Sequence, residues 1–238
     1  MVTSCCMLLL AFAAAPAAPS SGPPPHQPPP GGHGGPGHHG PAGGGRHGNP
    51  PDMQGYIAAM EDPGRDAWQK PDTLLGWLDV KPGMTVCDVG AGPGYFALRL
   101  AQRVGPSGRV FAVDVEPEML AALASRLASQ KLTNVTPVLA LPHHPLLPAG
   151  ACDVVLVVDT YHHFPDRVAY LKTLAASLKK GGALWMVDFH PKPLPVGPAP
   201  DHKLAPEVVE REAAAAGFKV VDRKDALPYQ YVLKLVAG

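Results

Sequence analysis

Glycines at every second position, directly after an apolar run, constrain this chain more than any other feature. Residues 86–96 read VCDVGAGPGYF, which places Gly90, Gly92 and Gly94 after a short strand-like segment. Glycine adopts positive φ without steric cost and lets a ligand approach the backbone. A strand that runs through such a loop into a helix is typical of open α/β sheets, which bind ligands at the carboxyl ends of their strands. The segment therefore predicts a strand, a ligand-binding loop and a helix.

The remainder of the chain after residue 52 alternates between strand-like and helix-like segments. Strands are expected at Met84–Val89, Arg109–Val115, Val135–Leu139, Asp153–Val158, Ala183–Phe189, Phe218–Val221 and Tyr229–Val236, the last two as a closing hairpin. Helices are expected at Met53–Met60, Asp72–Leu78, Tyr95–Val104, Glu116–Lys131, Phe164–Lys180 and His202–Ala216. This alternation predicts one α/β domain over residues 53–238, in which a mostly parallel sheet is covered by helices on both faces.

The first 52 residues have a different character. Residues 7–15 (MLLLAFAAA) form an apolar run too short to span a bilayer, and Ala11–Ala13 offers a small-residue cleavage pattern. We expect a signal peptide at residues 1–15; since no Lys or Arg precedes the run, an alanine-rich disordered start is the alternative. Residues 16–52 are rich in Pro, Gly and His, which predicts a disordered linker, with a metal-binding tail as the alternative. The expected location is therefore either exported (periplasmic or secreted) or cytoplasmic.

The charge balance limits the classes of partner that this chain can be expected to bind, and the cysteine positions bear on its redox state. The chain has 20 Lys and Arg against 20 Asp and Glu, so its net charge is zero and nucleic acid is not an expected partner. The pattern predicts no membrane span and no metal site, and it does not predict an oligomeric state. Cys87 and Cys152 fall in predicted strands; we expect two buried free thiols, with a disulfide as the alternative.

Three details separate the glycine loop from a dinucleotide site. Its spacing is G-x-G-x-G, whereas dinucleotide loops read G-x-G-x-x-G. Pro93 removes an N–H that a phosphate would use. Asp88 precedes the loop with a carboxylate, which repels phosphates but attracts a cationic amino group. Asp114 ends the second strand, where a carboxylate can accept both hydroxyls of a ribose.

Residues 88–94 (DVGAGPG) together with Asp114 resemble the first two motifs of the class I S-adenosylmethionine-dependent methyltransferases. The resemblance implies a three-layer, Rossmann-like α/β fold with a seven-stranded, mostly parallel sheet whose last strand is antiparallel. It implies S-adenosyl-L-methionine as cofactor. It also implies contacts to the methionine and ribose from Asp88, Gly90, Gly92 and Gly94, to the ribose hydroxyls from Asp114 and to the adenine from Val115.

The chain departs from that family after the third predicted strand. Many members place an Asp or Glu there to bind the adenine amino group, but residues 138–144 read VLALPHH. No carboxylate stands in this segment, so adenine contacts are expected from backbone groups around Ala140 and Leu141.

Catalytic candidates follow the fourth predicted strand. Residues 159–164 read DTYHHF and resemble the segment that faces the methyl group in small-molecule methyltransferases. His162 and His163 are candidates for a general base because a histidine titrates near neutral pH, or they only shape the pocket. Asp159 is expected to orient this loop. Asp188–His190, the aromatic residues of Leu227–Tyr231, and Arg65–Pro71 as a lid are further candidates for the walls of the site.

These observations favour a methyltransferase that acts on a small-molecule acceptor. Two alternatives stay open: a non-catalytic methyltransferase-like binding protein, and a dinucleotide-dependent oxidoreductase, against which Pro93 and the glycine spacing argue.

Overall fold

A computed structural model describes residues 52–238; the predicted signal peptide and all but the last residue of the predicted linker lie outside the described residues. The helices are α1 (Met53–Met60), α2 (Asp66–Gln69), α3 (Pro71–Trp77), α4 (Tyr95–Val104), α5 (Pro117–Gln130), α6 (Arg167–Ser177) and α7 (Pro206–Ala215). The strands are β1 (Thr85–Val89), β2 (Arg109–Asp114), β3 (Val135–Leu139), β4 (Cys152–Val158), β5 (Leu178–Phe189), β6 (Phe218–Lys224) and β7 (Gln230–Ala237).

The strands form one seven-stranded sheet in the order β3-β2-β1-β4-β5-β7-β6. Strands β1 to β5 pair in parallel, while β7 runs antiparallel to both β5 and β6. The central strands β1 and β4 are almost entirely buried because helices cover both faces of a parallel sheet. The predicted fold class, including the antiparallel last strand and the closing hairpin, is confirmed.

Two apolar cores lie on opposite faces of the sheet. Leu74, Leu100 and Leu123, from α3, α4 and α5, pack in one core. Leu174 and Val209, from α6 and α7, pack in the other. Successive strand residues contribute to opposite cores, as the period of two requires. The result is a helix–sheet–helix arrangement that leaves the carboxyl ends of β1, β2 and β4 at one edge.

Several predicted boundaries are wrong. Helix α6 begins at Arg167 rather than Phe164, because the Asp166 side chain accepts a hydrogen bond from the Ala169 amide and caps it. Its predicted last residues belong to β5, which starts at Leu178 rather than Ala183. Helix α7 begins at Pro206 rather than His202, since a separate 3-10 turn covers Pro200–His202. Proline suits the first turn of a helix, where its missing N–H is not needed.

The expectation of two free buried thiols is also wrong. Cys87 and Cys152 are joined by a disulfide, with their Cα atoms 6.0 Å apart and both side chains fully buried. The two residues lie on the neighbouring strands β1 and β4, which brings their Cα atoms within the range that a disulfide spans.

None of the helices within residues 52–238 combines the length and the apolar character that crossing a membrane requires.

Candidate active site

The glycine loop leaves β1 with its three glycines in left-handed backbone conformations. The φ angles of Gly90, Gly92 and Gly94 are 76°, 53° and 95°. The Gly90 amide donates to the Val113 carbonyl of β2 at 2.8 Å, which fixes the start of the loop. A Cβ atom on Gly90 would overlap the side chain of Thr160, so only glycine fits there. The loop conformation thus depends on these glycines, as the sequence predicts.

Asp114 holds the loop from the end of β2. Its Oδ2 accepts a hydrogen bond from the Gly92 amide at 2.7 Å, and its Oδ1 accepts one from the Glu116 amide at 3.0 Å. Burial raises the pKa of Asp114, while these backbone N–H groups oppose the shift. Each carboxylate oxygen has a second lone pair, so Asp114 can support the loop and still accept from a ligand.

A cavity of about 300 Å³ opens at this edge of the sheet. Its lining residues come from helix α1, from the ends of β1 and β2, from the loops that follow β1 to β4, and from α5 and α6. They are Tyr56, Met60, Val89, Gly90, Gly92, Val113, Asp114, Val115, Met119, Ala140, Pro142, Asp159, Thr160, His163, Phe164, Pro165 and Tyr170.

The structure brings most of the sequence-predicted residues to this cavity. Those that line it are Gly90, Gly92, Asp114, Val115, Asp159 and His163. Asp88, Gly94, Leu141 and His162 are not among the lining residues. Leu141 is 45% exposed, while its neighbours Ala140 and Pro142 line the wall. Gly94 instead packs closely against Leu123 of α5 and begins α4.

Asp88 lies beneath the loop at the end of β1 and is almost completely buried. Among the described residues, its Oδ2 has no hydrogen-bond partner. Burial raises the pKa of Asp88 to about 7, and the charge of Arg65 opposes that shift. A buried carboxylate oxygen without a partner, directly under a loop with accessible backbone, fits a ligand that carries a cationic amino group.

Asp159 directly follows β4 in a strained conformation, with a φ of 54° that is uncommon for a non-glycine residue. Its Oδ1 accepts a hydrogen bond from Gln230 Nε2 at 2.6 Å. Burial and the neighbouring charge of Asp188 raise the pKa of Asp159 to about 7, while Arg65 and Gln230 oppose the shift. That Asp159 orients the loop stays a prediction.

The two histidines have different surroundings. Nδ1 of His162 lies 3.0 Å from Asp188 Oδ2, and both side chains are buried. Burial lowers the pKa of His162, but the hydrogen bond and charge of Asp188 outweigh it, so the pKa is raised. His163 lies beside it, with ring centroids 4.3 Å apart, and burial and the charge of His162 lower its pKa to about 4. At neutral pH His163 is therefore a neutral imidazole in the cavity wall.

Sequence reasoning missed part of the wall. Tyr56 and Met60, four residues apart on α1, both line the cavity, although the sequence predicts only a helix over the sheet edge. Their spacing on one helix face is the signal that could have identified them. Arg65 was expected only within a lid; its guanidinium lies 4.1 Å from the Tyr95 ring centroid and 3.9 Å from Asp159 Oδ2.

Residues 52–238 contain no group of three or more His, Cys, Asp or Glu side chains arranged to hold a metal ion.

Comparison with known proteins identifies relatives of this site. A family profile described as a methyltransferase domain matches residues 86–182, which include the glycine loop, Asp114 and the two histidines. The chain is 34% identical over 120 residues to nocamycin O-methyltransferase of Saccharothrix syringae, covering 50% of this chain and 43% of that protein. It is 32% identical over 127 residues to a ubiquinone/menaquinone biosynthesis C-methyltransferase of Bordetella parapertussis, covering 53% and 49%. The match thus spans less than half the length of either relative.

A solved structure extends the likeness over more of the chain. The S-adenosylmethionine-dependent methyltransferase from Aquifex aeolicus is 26% identical and superposes with a TM-score of 0.73. The superposition covers 76% of this chain and 96% of that one.

Proposed function

We propose that this chain, which carries a class I S-adenosylmethionine-dependent methyltransferase domain, transfers a methyl group from S-adenosylmethionine to a small-molecule acceptor. The observation that carries the proposal is that Gly90, Gly92 and Asp114 line one cavity, with the buried carboxylate of Asp88 beneath the loop. The two relatives support a small acceptor, because one is named as a nocamycin O-methyltransferase and the other as a C-methyltransferase of ubiquinone/menaquinone biosynthesis.

The residues of the cavity suit the parts of this cofactor. Gly90 and Gly92 expose backbone to the methionine and ribose, and Asp114 accepts from the ribose hydroxyls. Val115 packs on the adenine, whose polar edge takes backbone groups at Ala140–Leu141. Gly94 acts indirectly through the loop, since a Cβ there would overlap Leu123. When bound, the cofactor would supply a sulfonium methyl group for in-line transfer to a nucleophile, with the neutral thioether as leaving group, so that positioning would provide much of the catalysis.

The histidines set limits on the acceptor. His163 is a weak base, because its pKa is lowered to about 4, and it cannot efficiently deprotonate an aliphatic alcohol. His162 is held by Asp188, whose hydrogen bond and charge raise the pKa of the imidazole against the opposing effect of burial. We therefore expect an acceptor whose nucleophile is acidic or already anionic, with His163 in the cavity wall accepting a hydrogen bond or the proton and His162 supporting His163 from outside the cavity.

Binding measurements test the cofactor assignment. In calorimetry, S-adenosylmethionine should bind the wild-type chain, whereas NAD should not. The Asp114→Ala variant should bind S-adenosylmethionine at least tenfold more weakly, because it loses a buried, charge-assisted hydrogen bond. Asp153→Ala is the matched control, since this carboxylate also accepts a backbone amide, that of Thr85 at 2.8 Å, but does not line the cavity. Binding of NAD alone, or an Asp114→Ala variant with unchanged affinity, would contradict the proposal. Binding without turnover across acidic acceptors would instead indicate a non-catalytic binding protein.

A further inference from the structure

Four polar side chains form a closed ring beside the cavity. Gln69 Oε1 accepts hydrogen bonds from Arg65 Nε at 3.3 Å and from a terminal nitrogen, Nη2, at 3.1 Å. Gln69 Nε2 donates to Gln230 Oε1 at 2.6 Å, and Gln230 Nε2 donates to Asp159 Oδ1 at 2.6 Å. Arg65 Nη2 lies 3.9 Å from Asp159 Oδ2 and so completes the ring.

The ring has one direction. It begins at a guanidinium, which only donates, and ends at a carboxylate, which accepts when ionised. Both glutamine amides are therefore fixed: each turns its oxygen toward Arg65 and its nitrogen toward Asp159. Gln69 and Gln230 are completely buried, so reversing either amide would leave polar atoms unsatisfied in the interior.

The ring uses only one oxygen of Asp159. Oδ1 accepts from Gln230, whereas Oδ2 is 3.9 Å from Arg65, which is beyond hydrogen-bond distance. Asp159 lines the cavity, and its left-handed backbone conformation needs support from its surroundings. Gln69 and Gln230 do not line the cavity. The ring therefore restrains one carboxylate oxygen from behind and presents the other to a ligand.

We propose that Gln69 and Gln230 are positioning residues that hold the Asp159 carboxylate as the acceptor for the amino group of the bound cofactor. This inference rests on the proposed function, because it assigns a partner within the same site. The guanidinium of Arg65 lies over the aromatic face of Tyr95, and this contact keeps the first donor of the hydrogen-bonded ring in place. Since Gln69 and Gln230 are 161 residues apart, the ring also ties the segment ahead of β1 to the start of β7.

A ligand pair separates positioning from general stability. S-adenosylmethionine carries the amino group and a sulfonium charge, whereas 5′-methylthioadenosine has the same nucleoside with a neutral thioether and lacks the amino acid. S-adenosylhomocysteine, which has the amino acid and a neutral thioether, should lose affinity in variants of Gln69 and Gln230 as S-adenosylmethionine does and so excludes the sulfonium charge as the cause. By calorimetry on the full chain, Gln69→Met and Gln230→Met should each weaken S-adenosylmethionine binding about tenfold, as expected for one charge-assisted hydrogen bond. Both should bind methylthioadenosine within about twofold of wild type. Gln230→Glu keeps the oxygen that faces Gln69 but places a second carboxylate against Asp159. This variant should therefore lose more S-adenosylmethionine affinity than Gln230→Met.

Asn134→Leu provides the structural control. Asn134 Nδ2 donates to the carbonyl oxygens of Ala101 and Gly105 at 2.8 Å each, and it does not line the cavity. This variant should lose thermal stability while binding both ligands as wild type does. Unchanged S-adenosylmethionine affinity in the glutamine variants, or an equal loss for both ligands, overturns the inference while wild-type binding leaves the proposed function intact. A wild-type chain that does not bind S-adenosylmethionine overturns the proposed function, and this inference with it.

Discussion

Cofactor affinity should fall sharply as the pH is lowered from 7 to 6. Asp88 and Asp159 lie at the end of β1 and of β4, and burial raises the pKa of each to about 7. Asp159 lines the cavity and Asp88 lies buried beneath the glycine loop. The amino group of S-adenosylmethionine, a cation in this range, is expected to favour the ionised form of both carboxyls. The ionised fraction of an acid with a pKa near 7 falls from about one half at pH 7 to about one tenth at pH 6. Affinity should fall about fivefold if one carboxylate must ionise, and about 30-fold if both must.

Unfolding should not produce this loss. A carboxyl whose pKa is raised by folding binds more protons in the folded state between its unfolded and folded pKa values. For Asp88 and Asp159 that window runs from near 4 to about 7, so these two groups make the protein more stable as the pH falls through it. A decrease in affinity between pH 7 and 6 therefore reports the site.

Calorimetry at pH 6.0, 6.5 and 7.0, in about two buffers that differ in ionisation enthalpy, measures both affinity and proton release. Below pH 7 the wild-type chain should release protons on binding S-adenosylmethionine. Asp88→Asn should bind more weakly at pH 7 and show a shallower pH dependence, because a single carboxylate then titrates. Methylthioadenosine, which lacks the amino group, should show little dependence. An affinity that is flat or rises as the pH falls would refute the reasoning.

Three further perturbations follow from the packing. Gly90→Ala places a methyl group against Thr160 at a positive φ, so it should abolish cofactor binding in calorimetry. Gly90→Ala combined with Thr160→Gly should recover part of that binding. A single variant that binds the cofactor as tightly as wild type would contradict the steric argument. The disulfide of Cys87 and Cys152 closes a separation of 65 residues, so reducing it should lower the free energy of unfolding in urea by about 4 kcal/mol; equal midpoints with and without reductant would contradict this. Hydrogen bonds from the arginine of α6 lower the pKa of Glu212. The stability that Glu212 contributes is therefore present above its unfolded pKa and is lost as the pH falls through the folded pKa. In urea titrations, Glu212→Gln should make the free energy of unfolding less dependent on acid pH.

The parts of the fold that local pattern dictates could be predicted from the sequence. Residues 86–96 predict the strand, loop and helix directly, and β2 ends at Asp114 as the sequence predicts. The predicted boundary between α6 and β5 is wrong because Leu178 already pairs with Cys152 of β4, with an irregularity before the pairing resumes at Ala183. This is a tertiary contact that local propensity does not report.

Long-range contacts explain most of what could not be predicted. The disulfide depends on the pairing of β1 with β4, and the hydrogen bond between Gln69 and Gln230 joins residues 161 positions apart. The different roles of His162 and His163 depend on a 3-10 turn that directs one ring to Asp188 and the other to the cavity. Each of these arrangements requires the assembled sheet, so no local sequence signal encodes it.

The direction of β7 has a consequence for how this protein can vary. Because β7 runs against its neighbours, its first residue, Gln230, rather than its last, reaches the edge where the parallel strands end, and it pairs there with Phe189. A single inserted or deleted residue that shifted β7 by one position along β5 would exchange its two faces and substitute a tyrosine for Gln230. Length changes in the connection between β6 and β7 should therefore be tolerated only when they leave this pairing intact. Homologues that vary in length there should still carry the same residue opposite the end of β5.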